Sequence, residues 1–258
     1  MAEREIIICR DAEELSRKAA EQFVSLANDA VKDHGRFSVA LSGGSTPKAL
    51  YSLLASPVFN SRISWPRVDL FWGDERCVPP DHAESNYRMV HESLLSKITI
   101  PAENVHRMAG EKAPQFAAAE YEERLRNYFH MGDDALPRFD LILLGLGDDG
   151  HTASLFPGSS ALNETERLVA TTYVVKLQAH RLSLTFPLIN NAAQITFLIA
   201  GQSKSAIVKE ILATENSNFP AAQIRPADGR LTWLITRDAA GSMIGPMGHN
   251  GLMKMESV

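Results

Sequence analysis

The chain has 258 residues, of which 45% are apolar and 22% are charged, and its net charge is −5. These values are typical of a globular protein with one large domain or two small ones. The negative charge argues against a nucleic-acid or anionic-membrane partner, although a local basic pocket is compatible with it.

Short apolar runs that predict β-strands alternate along the chain with segments whose apolar residues recur at helical spacing. A run at residues 6–9 precedes a long helix, for which Asp11 is the predicted N-cap and Gly35 the stop signal. Further strands are predicted at residues 37–42, 68–73, 139–147, 195–201 and 231–236. Further helices are predicted after Gly43, from near Glu84, and at residues 114–130 and 203–213.

This alternation predicts an α/β fold with a mostly parallel, Rossmann-like sheet and helices on both faces. No repeat or linker interrupts residues 1–258, so we expect a single domain. Residues 240–258 are rich in Gly and Met and lack periodicity, and we expect them to form a loosely ordered tail.

The two cysteines, Cys9 and Cys77, lie far apart and lack metal-ligand spacing, which favours reduced, packed thiols. The N-terminus does not have the layout of a signal peptide. No apolar run reaches the roughly 20 residues needed to span a bilayer. We therefore predict a cytoplasmic protein without a membrane partner, either a monomer or a small homo-oligomer.

Four unusual clusters follow predicted strands or lie at element boundaries, and in open parallel sheets ligands bind beyond the carboxyl ends of the strands. The first is LSGGSTPKAL, in which Gly43 and Gly44 allow a close approach to a ligand. Ser45 and Thr46 add hydroxyl groups, and the helix that follows begins with free N–H groups. These features favour the binding of an anion such as phosphate. The alternative is a plain strand-to-helix turn without a ligand.

The second cluster is charged. WGDER brings Asp74 and Arg76 out of a predicted strand, and SNYRM places Arg88 on the next helix. Such a charge run commonly forms a solvated, salt-bridged turn, and this alternative stays open.

The third cluster, GDDGHTASLFP, follows the clearest buried strand. In an extended segment, residues i and i+2 point the same way, so Asp149 and His151 are expected to face one pocket. A carboxylate that orients an imidazole is a general-base arrangement. A metal site is the rival use of these residues, but no HxH, HExxH or CxxC accompanies them. A non-catalytic histidine is the other alternative.

The fourth cluster consists of Arg181 in HRLSLTFP and Lys204 in AGQSKS, each expected at an element boundary. A guanidinium and an ammonium group are the usual partners of phosphate, although either residue alone could be a surface cation.

In order and spacing, the segments LSGGSTPKALY, WGDER, SNYRM, GLGDDGHTASLFP, RLSLTFPLIN and GQSKS resemble those of the 6-phosphogluconolactonases. The resemblance covers residues 6–236 and implies hydrolysis of 6-phospho-D-glucono-1,5-lactone to 6-phosphogluconate, in the oxidative pentose phosphate pathway. It implies a small-molecule sugar-phosphate lactone as the binding partner and neither a cofactor nor a metal.

The same superfamily includes the glucosamine-6-phosphate deaminases, which share the glycine-rich loop, the strand-end aspartate and the DGH segment. The deaminase pattern has a catalytic glutamate just before a proline, where this chain has Phe156 before Pro157. A phenyl ring cannot exchange a proton, so Phe156 favours the lactonase over the deaminase. A non-catalytic sugar-phosphate sensor is a further alternative, but no DNA-binding segment is visible.

The resemblance implies a phosphate site made of Gly43, Gly44, Ser45, Thr46, Arg181 and Lys204. His151 would be the general base that activates water, and Asp149 would orient its ring. Arg76 or Arg88 would support the oxyanion or the sugar hydroxyl groups. Asp74 stands where the deaminases keep a proton-abstracting base, and here it would be structural or bind a hydroxyl group.

Overall fold

A computed structural model of the protein describes residues 4–130, 136–214 and 217–241, together with the backbone of a strand at 252–254. The helices are α1 (Ala12–His34), α2 (Ser45–Leu54), α3 (Pro57–Asn60), α4 (Asn86–Ser93), α5 (Pro114–Tyr128), α6 (Phe186–Asn190), α7 (Ser205–Ala213) and α8 (Arg237–Ala240). The strands are β1 (Arg4–Cys9), β2 (Phe37–Leu41), β3 (Val68–Trp72), β4 (Asp74–Arg76), β5 (Val105–His106), β6 (Leu141–Leu144), β7 (Val169–Val174), β8 (Ala179–Leu184), β9 (Gln194–Ile199), β10 (Arg230–Thr236) and β11 (Leu252–Lys254).

The main sheet has eight strands in the order β11–β1–β10–β9–β6–β2–β3–β5. Neighbouring strands are parallel except for β11, which runs antiparallel to β1. Strands β2, β3, β6 and β9 are buried at every residue, as parallel strands covered on both faces should be. The predicted α/β fold with a mostly parallel, Rossmann-like sheet is therefore confirmed.

The chain winds through the main sheet in two directions. From β2 it continues outward through β3 to β5, whereas from β6 it continues the opposite way through β9 to β10. Parallel crossovers are right-handed, so the helices of the two halves cover opposite faces. The adjacent strands β2 and β6 therefore flank the topological switch point, where such folds bind ligands.

A second, antiparallel sheet has the strand order β4–β8–β7, and the sequence analysis did not predict it. Its strand β4 has only three residues, all charged, so no apolar run marks it. Gly73 joins the two sheets, because its amide donates to the carbonyl of Leu41 in β2 and its carbonyl accepts from the amide of Leu184 in β8, both at 2.8 Å. The second sheet thus lies at the carboxyl ends of β2 and β3.

The predicted ends of the first helix are confirmed. The Asp11 side chain accepts a hydrogen bond from the amide of Glu14 at 2.8 Å, and Gly35 ends α1 with a φ of 88°. The helix α4, predicted from near Glu84, begins at Asn86, because the hydroxyl of Ser85 caps it by accepting from the amide of Arg88.

Both cysteines are free thiols, as predicted. Cys9 is buried and Cys77 is half-buried, and burial raises the pKa of each thiol to about 11. At neutral pH both are therefore protonated.

Most of the predicted tail lies outside the described residues, at 242–251 and 255–258. Within it, the backbone of β11 pairs antiparallel with the edge of β1, and the expected loose order of the tail stays a prediction. An edge strand presents unpaired N–H and C=O groups, which a neighbouring strand satisfies.

Candidate active site

The loops after β2, β3 and β6 meet at the switch point and are joined by side-chain contacts. Asn86 packs against Gly43 after β2 and donates to the backbone carbonyl of Asp74 after β3, at 2.9 Å. Ser154, in the segment after β6, donates to the Asp74 carboxylate at 2.8 Å. Motifs that are separate in the sequence thus form one cluster.

The glycine-rich loop leaves the first turn of α2 open. Gly44 is the N-cap residue, with a φ of 104° in the left-handed region that favours glycine, and no described side chain bonds to this helix end. Ser45 is exposed and Thr46 is half-buried, so both are accessible to a ligand. Free N–H groups and the positive end of the helix dipole make this a position for an anion.

Two neighbours hold the glycine-rich loop in place. The buried phenol of Tyr51 accepts from the amide of Ser42 at 3.0 Å and donates to its carbonyl at 2.8 Å. A Cβ atom on Gly43 would lie 2.0 Å from Oδ1 of Asn86. A side chain at position 43 would therefore displace Asn86 and the loop with it.

Asp74 and Glu75 are both buried but have different partners. Asp74 accepts the hydrogen bond from Ser154 described above. The carboxylate of Glu75 accepts hydrogen bonds from the backbone amides of Asn86 and Tyr87, at 2.7 and 2.8 Å. Burial raises the pKa of Glu75, and these amides oppose that effect. Glu75 therefore anchors the start of α4 and so places Asn86 beside the glycine-rich loop.

His151 and Asp149 are in contact, with Nδ1 and Oδ1 2.5 Å apart. The other oxygen of Asp149 accepts a hydrogen bond from Nζ of Lys176. Burial opposes the ionisation of Asp149, but the hydrogen bonds from Lys176 and His151 outweigh it and lower the pKa of Asp149 to about 2. Asp149 is therefore a carboxylate throughout the physiological pH range.

The local geometry of this pair differs from the predicted one. Asp149 lies in a turn rather than in an extended segment, and Gly150 continues that turn with a φ of 76°. The predicted contact is therefore present, but a tight turn produces it and not the alternation of an extended chain.

A glycine, which has no side chain, and one aromatic ring lie against the imidazole of His151. A Cβ atom on Gly147 would lie 2.0 Å from Nδ1 of His151, so only glycine fits there. The ring of Phe156 stacks on the imidazole with a centroid distance of 4.1 Å. The apolar patch after the DGH segment is thus one wall of the histidine site.

Arg181 and Arg76 lie directly opposite each other on β8 and β4. Arg181 is only 7% exposed, and among the described residues no carboxylate lies within ion-pair distance of it. Burial and the charge of Arg76 lower the pKa of Arg181. Like charges opposite each other destabilise a sheet, so the pair favours the binding of an anion.

The expected position of Arg181 at an element boundary was wrong, because it is the third residue of β8 in the unpredicted second sheet. Lys204 does lie at a boundary, immediately before α7. Its Nζ donates to Oδ1 of Asp148 at 2.6 Å, which links the loops after β6 and β9.

Arg88 is not brought into the cluster. Its Nε donates to Glu92 at 2.7 Å, one turn along α4, and its Nη1 donates to the carbonyl of Asp81 at 2.9 Å. No described contact joins it to the other predicted site residues, so we leave Arg88 out of the candidate site.

The sequence analysis missed three residues of the cluster, which are Lys176, Asn86 and Ser154. Asn86 and Ser154 stand inside segments that were already identified as motifs, so their polarity within those segments was the available signal. Lys176 stands in the ordinary run TTYVVKLQ and carries no local signal. Only the pairing of β7 with β8 brings it to Asp149.

Within residues 4–130, 136–214 and 217–241, no group of three or more His, Cys, Asp or Glu side chains could hold a metal ion. None of the helices that the structure describes is long and apolar enough to span a membrane.

The fold and the site define a class, namely doubly wound α/β proteins with a glycine-rich loop at an open helix N-terminus and a histidine–carboxylate pair at the switch point. The sequence profile of the family described as "Glucosamine-6-phosphate isomerases/6-phosphogluconolactonase" matches residues 10–233. The chain belongs to this family.

Relatives within the family cover most of the chain. A protein of Synechocystis named 6-phosphogluconolactonase is 43% identical over 217 residues, or 83% of this chain and 88% of the relative. A protein of Nostoc with the same name is 37% identical over 236 residues, or 90% of this chain and 95% of the relative. The structure of 6-phosphogluconolactonase from Trypanosoma brucei is 29% identical, covers 95% of this chain and 100% of that one, and superposes with a TM-score of 0.84.

Proposed function

We propose that the protein hydrolyses 6-phospho-D-glucono-1,5-lactone to 6-phospho-D-gluconate, a step of the oxidative pentose phosphate pathway. One observation carries the proposal. The His151–Asp149 pair packs on Phe156, an apolar residue where the deaminase pattern has an acid. The names of the two cyanobacterial relatives support the same activity.

Remote binding of the phosphate positions the lactone. The phosphate lies against the open first turn of α2, formed by Gly43, Gly44, Ser45 and Thr46. The buried guanidinium of Arg181 supplies a charge that has no ion-pair partner among the described residues. Lys204, which precedes α7 and donates to Asp148, supplies a second cation for the phosphate. Binding energy gained at the phosphate then orients the carbonyl for attack.

Hydrolysis needs a base for water and a donor for the ring oxygen. With a proton on Nδ1, shared with Asp149, His151 accepts the water proton at Nε2 as the water oxygen bonds to C1. Asp149 stabilises the imidazolium that forms. The ring C–O bond then breaks, and the proton passes from His151 to the leaving oxygen, which regenerates the base.

Arg76 is the better candidate than Arg88 for the developing oxyanion, because it lies beside Arg181 whereas Arg88 binds Glu92. The carboxylate of Asp74 is buried and engaged by Ser154, which suits a structural or hydroxyl-binding role. Neither role requires it to remove a proton from carbon.

A coupled assay tests the proposed activity. Glucose-6-phosphate dehydrogenase generates the lactone, and 6-phosphogluconate dehydrogenase reports the product. Added protein should accelerate the second signal at short times, before spontaneous ring opening contributes. Absence of acceleration would contradict the proposal, and release of ammonia from glucosamine 6-phosphate would favour the deaminase. Binding of the lactone without turnover would favour the sensor.

Replacing Phe156 by Glu should lower kcat/KM for the lactone by about tenfold on the acidic limb of its pH profile. A carboxylate in contact with the imidazole stabilises its protonated form, and at a pH well below the pKa a rise of one pKa unit removes roughly nine-tenths of the neutral base. The acidic limb of the profile of kcat/KM against pH should move to higher pH. Phe156→Leu, which adds no charge, is the matched control and should keep the parent limb. An unchanged limb in Phe156→Glu would contradict the placement of this residue beside the base.

The cytoplasmic location, the single domain and the monomeric or small oligomeric state stay predictions.

A further inference from the structure

Lys176 lies on the turn between β7 and β8, over the His151–Asp149 pair. Val175–Leu177 form a 3-10 turn that ends at Gln178, whose φ of 48° closes the hairpin. The Nζ atom of Lys176 donates to Oδ2 of Asp149, while Nδ1 of His151 lies 2.5 Å from Oδ1. Each oxygen of the carboxylate is therefore held by a different group.

The same ammonium group also contacts the aromatic wall of the site. It lies 5.4 Å from the centre of the Phe156 ring, which in turn stacks on His151 at 4.1 Å. Lys176, Phe156 and His151 thus form a stack, and Asp149 bridges its two ends.

Folding stability does not account for this arrangement. The side chain of Lys176 is 56% exposed and that of Asp149 is 32% exposed, and exposed ion pairs contribute little to stability. The ion pair does, however, affect the orientation of the Asp149 carboxylate. A carboxylate with one free oxygen can rotate and offer either oxygen to an imidazole, whereas a carboxylate held at both oxygens cannot.

We propose that Lys176 is a positioning residue for the general base, an inference that rests on the function proposed above. It holds Asp149 ionised, with Oδ1 directed at Nδ1 of His151. This keeps the proton on Nδ1 and leaves the lone pair of Nε2 for water. The neighbouring carboxylate, Asp148, is bound to Lys204, so among the described residues Lys176 is the cation paired with Asp149.

The test compares Lys176→Met, which keeps the length but removes the charge, with Lys176→Arg, which keeps the charge. Lys176→Met should lower kcat about 10- to 100-fold, as loss of an orienting outer partner typically does, with KM changed by less than about threefold. Loss of a nearby cation should move the acidic limb of kcat/KM to higher pH. Lys176→Arg should retain most of kcat. Lys209→Met, at an exposed position on α7, is the matched control and should leave kcat and the limb unchanged.

A second measurement does not depend on turnover. With 15N-labelled histidine, NMR should show His151 of the parent as the Nδ1–H tautomer. In Lys176→Met it should show a mixture of tautomers that titrates at higher pH. The melting temperature should stay within about 2 °C of the parent, because the pair is exposed.

Three outcomes would overturn the proposal. In the first, Lys176→Met keeps the parent kcat, limb and tautomer. In the second, it raises only KM, and only for the phosphorylated lactone, which would make Lys176 a phosphate ligand. In the third, Lys209→Met gives the same losses. If His151→Asn were fully active, the proposed base would fail instead, and the NMR titration would still decide whether Lys176 positions the pair.

Discussion

Replacing His151 by Asn should lower kcat for the lactone by about 10²- to 10⁴-fold, the usual effect of losing a general base. Asn is polar and of similar reach but cannot accept the proton from water. KM should change little, because the phosphate is bound elsewhere. The measurement is the coupled assay, with the spontaneous hydrolysis rate subtracted at each pH.

The pH profile identifies the titrating group. In the parent, kcat/KM should rise with pH between about 5 and 8, the range in which histidine side chains in general change charge. The pKa of Asp149 is about 2, so its carboxylate is charged throughout this range and cannot produce the limb. The limb should vanish in His151→Asn. Asp149→Asn should give a smaller loss, because the base remains but its orienting charge is gone. A folded His151→Asn variant that kept most of its kcat would end the assignment.

Replacing Arg181 by Met should lower kcat/KM for the phosphorylated lactone by roughly 10- to 150-fold, mostly through KM. Each charge-assisted hydrogen bond contributes about 1.5–3 kcal/mol. Turnover of the unphosphorylated gluconolactone, which we expect to bind poorly to the parent protein, should barely change. Equal losses with both lactones would show that Arg181 does not bind the phosphate.

The same variant should not lose stability, and this separates a binding role from a structural one. Arg181 is buried opposite Arg76 without an ion-pair partner among the described residues, so removing its charge relieves repulsion. The melting temperature should stay constant or rise. Arg88→Met provides the contrast, because it breaks the ion pair with Glu92 on the surface of α4 and should leave kcat/KM within about threefold. A decrease in the melting temperature of Arg181→Met would indicate that Arg181 has a structural role.

The sequence by itself determined the parallel sheet, because its strands are continuous apolar runs separated by helices with ordinary caps. It also located the glycine-rich loop and the DGH segment. Both segments contain glycines because their backbone conformation or close contacts exclude other residues, and glycines can be recognised in the sequence itself. Gly44 has a φ of 104°, and Gly147 lies against the imidazole of His151. The pairing of Asp149 with His151 was equally local, since the two residues are only two positions apart.

The tertiary structure alone decided which cations lie close to one another in the candidate site. Arg76 and Arg88 are equivalent in the sequence. Strand β4, however, places Arg76 opposite Arg181, whereas Arg88 forms an ion pair with Glu92, four residues further along the same helix. The second sheet was not predicted because β4 has only three residues, all charged, and because polar residues in β7 and β8 do not alternate strictly with apolar ones. Lys176 reaches Asp149, 27 residues away along the chain, only through the hairpin of that sheet. Contacts of this kind depend on strand pairing between distant segments, which local residue patterns do not encode.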